Sequence, residues 1–194
     1  ISGDIGEASF GMAMPLSASE EPREFGVGMT FAEMVIPDLL WNIFDPGAVL
    51  ERTPATISLD ITGTARLFES LFNPEVVESD DIPGELHSLS LNDLQVSVSG
   101  AELTGGGDFT FDNSDLESFD GLPRPKGAAD FRLIGGNALL DSLIAMGLVS
   151  EQDAMGARMM MGIFTVAGPG EDELTSRIEV NDSGHVLANG QRMR

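Results

Sequence analysis

Apolar side chains fall on every second residue in one short segment after another, and that alternation limits the fold more than any other feature. Phe25, Val27, Met29 and Phe31 alternate with Gly26, Gly28 and Thr30; Ile57, Leu59 and Ile61 alternate with Ser58, Asp60 and Thr62; Phe109 and Phe111 flank Thr110. Leu89, Leu91, Val96, Val98 and Leu103 continue the pattern. A period of 2 places one set of side chains on each face of a strand. One apolar and one polar face is the antiparallel arrangement, since strands of parallel sheets are buried on both sides and read as continuous apolar runs. Asn92-Asp93, Gly100 and Gly105-Gly106-Gly107 read as turns of a β-meander. Asn181-Asp182-Ser183-Gly184, between Ile178-Val180 and Val186-Leu187, reads as a hairpin connection.

Four stretches change period to 3.6. Leu39, Leu40, Ile43 and Phe44 form one stripe, opened by Pro37 and stopped by Asp45-Pro46-Gly47. Leu67, Phe68, Leu71 and Phe72 form a second, and Leu139, Leu140, Leu143 and Ile144 a third. Ser150, with Asp153 three positions on, caps a fourth that carries Met155, Met159 and Met160. Such short one-sided helices need a sheet to lie on. The expected fold is therefore α+β and β-rich: a curved antiparallel meander with short amphipathic helices on one face.

Two strand-to-helix passages share a pattern. Leu59-Asp60-Ile61-Thr62-Gly63 leads to Leu67-Phe68, and Phe131-Arg132-Leu133-Ile134-Gly135 leads to Leu139-Leu140, each position shifted by 72. Residues 1–194 then form a single β-rich domain with an internal repeat, units 56–121 and 128–194, divided at the turn-rich stretch 122–127.

Charge excludes several partners. Lys and Arg total 10 against 32 Asp and Glu, a formal charge of −22, with Lys126 the sole lysine and no Lys or Arg between Arg66 and Arg124. Such a surface repels nucleic acid and anionic headgroups. No apolar run is long enough to span a bilayer as a helix. The absence of cysteine removes disulfides, thiolate metal sites and cysteine nucleophiles together.

Candidate chemistry is sparse. His87 and His185 lack a second His at ligand spacing, so no zinc site is expected. No Gly-x-Ser-x-Gly elbow occurs, and Gly105-Gly106-Gly107 has no following Lys. Asp112, Asp115 and Asp120 crowd oxygens into one loop, a solvated acidic turn or a weak structural calcium site whose spacing is not that of a calcium hand. No cofactor is expected otherwise. Trp41, the only tryptophan, sits beside an apolar helical stripe and reads as core. Met155, Met159 and Met160, with Leu139 and Leu143, are the residues that would line an apolar groove, because methionine adapts to irregular ligands.

Several of these segments carry a resemblance. Ile36-Pro37, Trp41-Asn42, Phe44 through Leu50, Phe109 through Asn113, Ala154 through Met160 and Asn189-Gly190-Gln191 resemble a family of secreted Gram-negative bacterial proteins known as domain of unknown function 2125. The resemblance implies a longer precursor with a signal peptide, of which this is a carboxy-terminal part, and a periplasmic or other extracytoplasmic address. It implies no catalytic residues. The architecture also resembles β-rich envelope proteins that hold lipids in a groove.

The resulting expectation is a non-catalytic envelope protein that binds a lipid, another apolar molecule or a protein partner. One alternative is a structural or assembly module whose exposed strand edge pairs with the amino-terminal part of the longer precursor or with another copy. Another is an acidic-site hydrolase using Asp112 or Asp115.

Overall fold

The computed structural model of the protein describes residues 3–74 and 83–193. Among the described residues the strands are β1 (Glu7–Ala13), β2 (Arg23–Met34), β3 (Ala55–Leu67), β4 (Gly84–Val98), β5 (Ala101–Asp112), β6 (Arg124–Ile134), β7 (Val166–Ala167), β8 (Glu173–Val180), β9 (Val186–Ala188) and β10 (Gln191–Arg192). All belong to one antiparallel sheet, in the order β1-β2-β3-β4-β5-β6-β8-β9-β10, with β7 also paired to β8. The sheet is a meander that does not close. Among the described residues three short helices accompany it: α1 (Asp38–Phe44), α2 (Gly136–Ala145) and α3 (Glu151–Phe164).

The register joins the alternating segments into one surface. Phe10 lies opposite Met29, Met29 opposite Leu59, Leu59 opposite Leu94, Leu94 opposite Gly105, and Gly105 opposite Phe131. Directly opposed residues share a face, so an apolar face runs unbroken from β1 to β6. Continuing outward, Leu133 meets Leu174 and Ala129 meets Ile178. The other face is polar and cross-linked. Ser58 Oγ donates to Asp93 at 2.7 Å, Ser90 Oγ to Asp108 at 2.6 Å, and Arg177 to Asp130 at 2.6 Å.

Two expected turns are part of strands. Asn92-Asp93 is a bulge within β4, where the register slips between Leu91 and Leu94, and Asn92 Nδ2 bonds across to Asp60 and Thr62 on β3. Gly105 and Gly107 lie inside β5 and make room for neighbours. A Cβ on Gly105 would stand 2.4 Å from Phe131 Cδ1, and one on Gly107 2.4 Å from the Ala129 Cα. Ser99-Gly100 does turn, with both φ angles positive (49° and 81°), as a two-residue hairpin requires.

The helices begin where the sequence places them, with one exception. Ser150 caps α3 by accepting from the Asp153 N–H at 3.1 Å. The N-terminus of α2 is capped from a distance: Asp172 accepts from the backbone N–H groups of Asn137 and Ala138 at 3.3 and 2.9 Å. The stripe Leu67–Phe72 is not a helix, because β3 continues to Leu67 and bends and a turn follow. The two segments of the proposed repeat thus take different structures after Gly63 and Gly135.

Large side chains are seldom fully buried. Trp41 at 4% and Val180 at 7% exposure stand beside five buried alanines, while the large side chains of the apolar face from Phe25 to Leu133 are half-buried or exposed. The chain exposes 12078 Å². A globular protein of 20.6 kDa exposes about 8,900 Å². The excess, about 3,000 Å², is what a sheet shows when most of one apolar face has no second layer.

Candidate apolar binding site

At one end of the sheet this face runs into a half-open cavity of about 560 Å³. Its floor is built by Leu86 at the start of β4, Phe111 at the end of β5 and Pro125 at the start of β6. The register makes Phe111 and Pro125 direct partners on the apolar face. The loop 113–123 forms the roof with Leu116, Phe119 and Leu122, and Phe68 stands at the side. The volume falls within the range of small-molecule sites, roughly 300–1,000 Å³, and the lining is predominantly apolar as such sites are.

Acidic residues give the roof its shape. Asp112 Oδ1 accepts from the Ser114 hydroxyl at 2.6 Å and its backbone N–H at 3.0 Å. Asp115 accepts from the Ser118 N–H at 3.0 Å and its hydroxyl at 2.8 Å. The Arg124 guanidinium bridges both carboxylates at 3.2 and 3.4 Å. Asn113 Nδ2 ties the loop to the Leu86 carbonyl at 2.9 Å. These contacts hold both carboxyls below their ordinary value, first through the Ser114 hydroxyl for Asp112 and the Ser118 N–H for Asp115, then with help from Arg124.

The three aspartates proposed for calcium lie in this loop or at its edge. The oxygens of Asp112 and Asp115 are engaged by serine and arginine, and Asp120 (φ 54°) precedes Gly121 (φ 95°) in the turn that brings the Gly121 N–H to Leu116 O at 2.8 Å. Among the described residues no three or more His, Cys, Asp or Glu side chains are grouped to hold a metal ion.

A polar cluster borders the cavity. Glu85, which lines it, accepts from Arg66 at 2.8 Å and lies 3.5 Å from His87 Nε2. The Arg66 guanidinium sits 5.1 Å from the centre of the Phe68 ring. His87 Nε2 and Arg66 Nε are buried without a hydrogen-bond partner.

The residues expected to line a groove lie elsewhere. Leu139 and Leu143 are half-buried on α2, which packs against α3 and the start of β5, at the opposite end of that strand from the cavity. Arg158 clips the two helices together, donating to Asp141 at 2.6 Å and Asn137 at 3.3 Å. α3 turns Ala154, Ala157 and Met161 inward and leaves Met155, Met159 and Met160 at 71%, 65% and 51% exposure. None of the five lines the cavity. Its roof residues Leu116, Phe119 and Leu122 escaped sequence reading because acids and serines surround them; their spacing of three was the available signal.

No family model, curated protein or solved structure matches this chain.

Proposed function

We propose that this protein is a non-catalytic, extracytoplasmic binding protein that holds an apolar molecule, such as the acyl chain of a lipid, in the cavity beneath residues 113–123 and along the adjoining sheet face. The observation that carries this reading is an apolar face, largely without a covering layer, that leads into a half-open apolar cavity. Exposed apolar patches larger than a few hundred Å² mark interaction sites. A bound chain would remove such surface from water at about 25 cal/mol per Å². The periplasmic address rests on the family resemblance and accords with a charge of −22.

Native mass spectrometry of gently purified protein tests the reading, followed by extraction, lipid analysis and titration of the stripped protein with monopalmitoylglycerol, an uncharged acyl ligand. A stoichiometric apolar adduct is expected. At a hundredfold excess over Kd the ligand adds about 2.7 kcal/mol, about 5–10 °C in Tm for a chain of this size. Phe111→Asp should abolish the shift, and Met159→Asp, on the exposed side of α3, should preserve it. Bare protein together with no shift on adding monopalmitoylglycerol would refute the proposal.

A further inference from the structure

The two edges of the sheet are built differently. On the β8 side the edge is blunted: β7 pairs with Thr175 and Leu174, β9 with Ile178 through Val180, and Asn189 fills the gap between them. Asn189 accepts from the Arg177 N–H at 2.8 Å, donates its own N–H to Arg177 O at 2.8 Å, and bonds the Phe164 carbonyl through Nδ2 at 2.9 Å. The last strand there, β10, has two residues.

β1 carries no such protection. All seven of its residues are exposed, and among the described residues β2 is its only strand partner and no other backbone group bonds to it. It contains no proline and no lysine, and its register with β2 runs from Glu7 to Ala13 without a bulge. Protected edges use those very devices. Its side chains alternate: Ala8, Phe10 and Met12 continue the apolar face, with Phe10 70% and Met12 61% exposed, while Ser9 and Gly11 lie on the other side.

Charge selects the occupant. Asp4, Glu7, Glu20, Glu21, Glu24 and Glu33 lie on β1, on β2 or in the segments beside them, against Arg23 alone. A second copy would bring the same acids and a further −22 to this edge, so like charges oppose self-pairing. We infer that β1 is a strand-addition site for an extended segment of another protein, one with apolar side chains at alternate positions and lysine or arginine on its flanks. Main-chain hydrogen bonds to β1 supply the affinity, and the alternate side chains settle beside Phe10 and Met12. The basic flanks meet the acidic border and speed encounter.

The probe is a fluorescein-labelled peptide of alternating valine and threonine with two lysines at each end, compared with a twin flanked by glutamates. Anisotropy should show saturable binding of the lysine peptide, weaker as salt rises from about 50 to about 500 mM, and little binding of the twin. Hydrogen exchange should show new protection confined to Glu7–Ala13. Phe10→Lys and Gly11→Lys each place an edge-blocking charge on an exposed position and should weaken binding about tenfold or more, with Tm unchanged. Absence of binding, binding without protection of β1, or equal binding of both peptides overturns the inference. Protection of β1 that rises with protein concentration alone overturns it in favour of a second copy.

Discussion

Asp45 offers a direct test of how the connection between β2 and β3 is held. Its side chain is 1% exposed and its carboxylate accepts from two backbone N–H groups, Val49 at 2.9 Å and Leu50 at 3.0 Å. Its own N–H donates to Trp41 O at 2.7 Å, and its carbonyl accepts from Arg52 at 3.2 Å. The carboxylate therefore folds residues 45–50 back under Trp41, whose ring stands 5.0 Å from Phe44 and 5.7 Å from the Arg52 guanidinium. Asp45→Ala removes both acceptors. A hydrogen bond to a charged group contributes about 1.5–3 kcal/mol; two contribute about 3–6. Water reaching the exposed Val49 offsets part of this, so a loss of about 2–4 kcal/mol is expected. Asp45→Asn keeps one acceptor and should lose about half as much. Trp41 is the only tryptophan and 4% exposed, so urea unfolding followed by its emission reports on this site, while circular dichroism follows the sheet. Asp45→Ala should bring the Trp41 transition to lower urea, with Asp45→Asn between it and the parent. A Trp41 transition that stays in place in Asp45→Ala, or Asn as damaging as Ala, would refute the reasoning.

Acid should weaken the fold. Asp112, Asp115 and Asp182 are held below their ordinary 3.8 and Glu173 below 4.5, the last two chiefly by hydrogen bonds from Lys126 and Arg132. Carboxyls with depressed folded values add stability that is complete above their ordinary values and disappears as pH falls through the folded ones. Urea midpoints in 0.5 M salt, where relief of the overall negative charge is screened, should hold from pH 7 to about 5 and decline below about 4; a rise on acidification would contradict this. At Gly63 a Cβ would lie 2.3 Å from Ser88 O and 2.6 Å from Phe25 Cζ, whereas at Gly11 it would meet nothing within 4 Å. Gly63→Ala should therefore lose about 1–3 kcal/mol or more and Gly11→Ala remain within about 0.5, as thermal melts would show.

Strands were legible because each carries one apolar and one polar face, and the register preserves that division from Phe10 to Phe131. Helix starts were legible where a cap is local, as at Ser150. Glycine misled where its cause was tertiary: Gly105 and Gly107 admit neighbouring groups and turn nothing. Leu67–Phe72 carries a helical stripe, yet β3 pairs with β4 as far as Leu67 opposite Gly84 and prevails over local periodicity. The cavity was not legible, since it joins three strand ends to a loop whose acids suggest only solvent. Nor could the methionines of α3 be assigned to inside or outside, because Met159, Met160 and Met161 are consecutive and so point round more than half of the helix.

The meander also bears on how the chain reaches this state. From β1 to β6 each strand bonds to the one that follows it in sequence, so each pairing closes a loop no longer than a single connection and avoids most of the entropy that delays non-local sheets. With little deep core, cohesion is distributed over successive strand interfaces, as in a one-dimensional array. Damage at β1 should fray one end, whereas damage at β4, gripped by both β3 and β5, should divide the array in two. Such a chain is suited to zip together hairpin by hairpin in the order in which it emerges, as from a narrow exit.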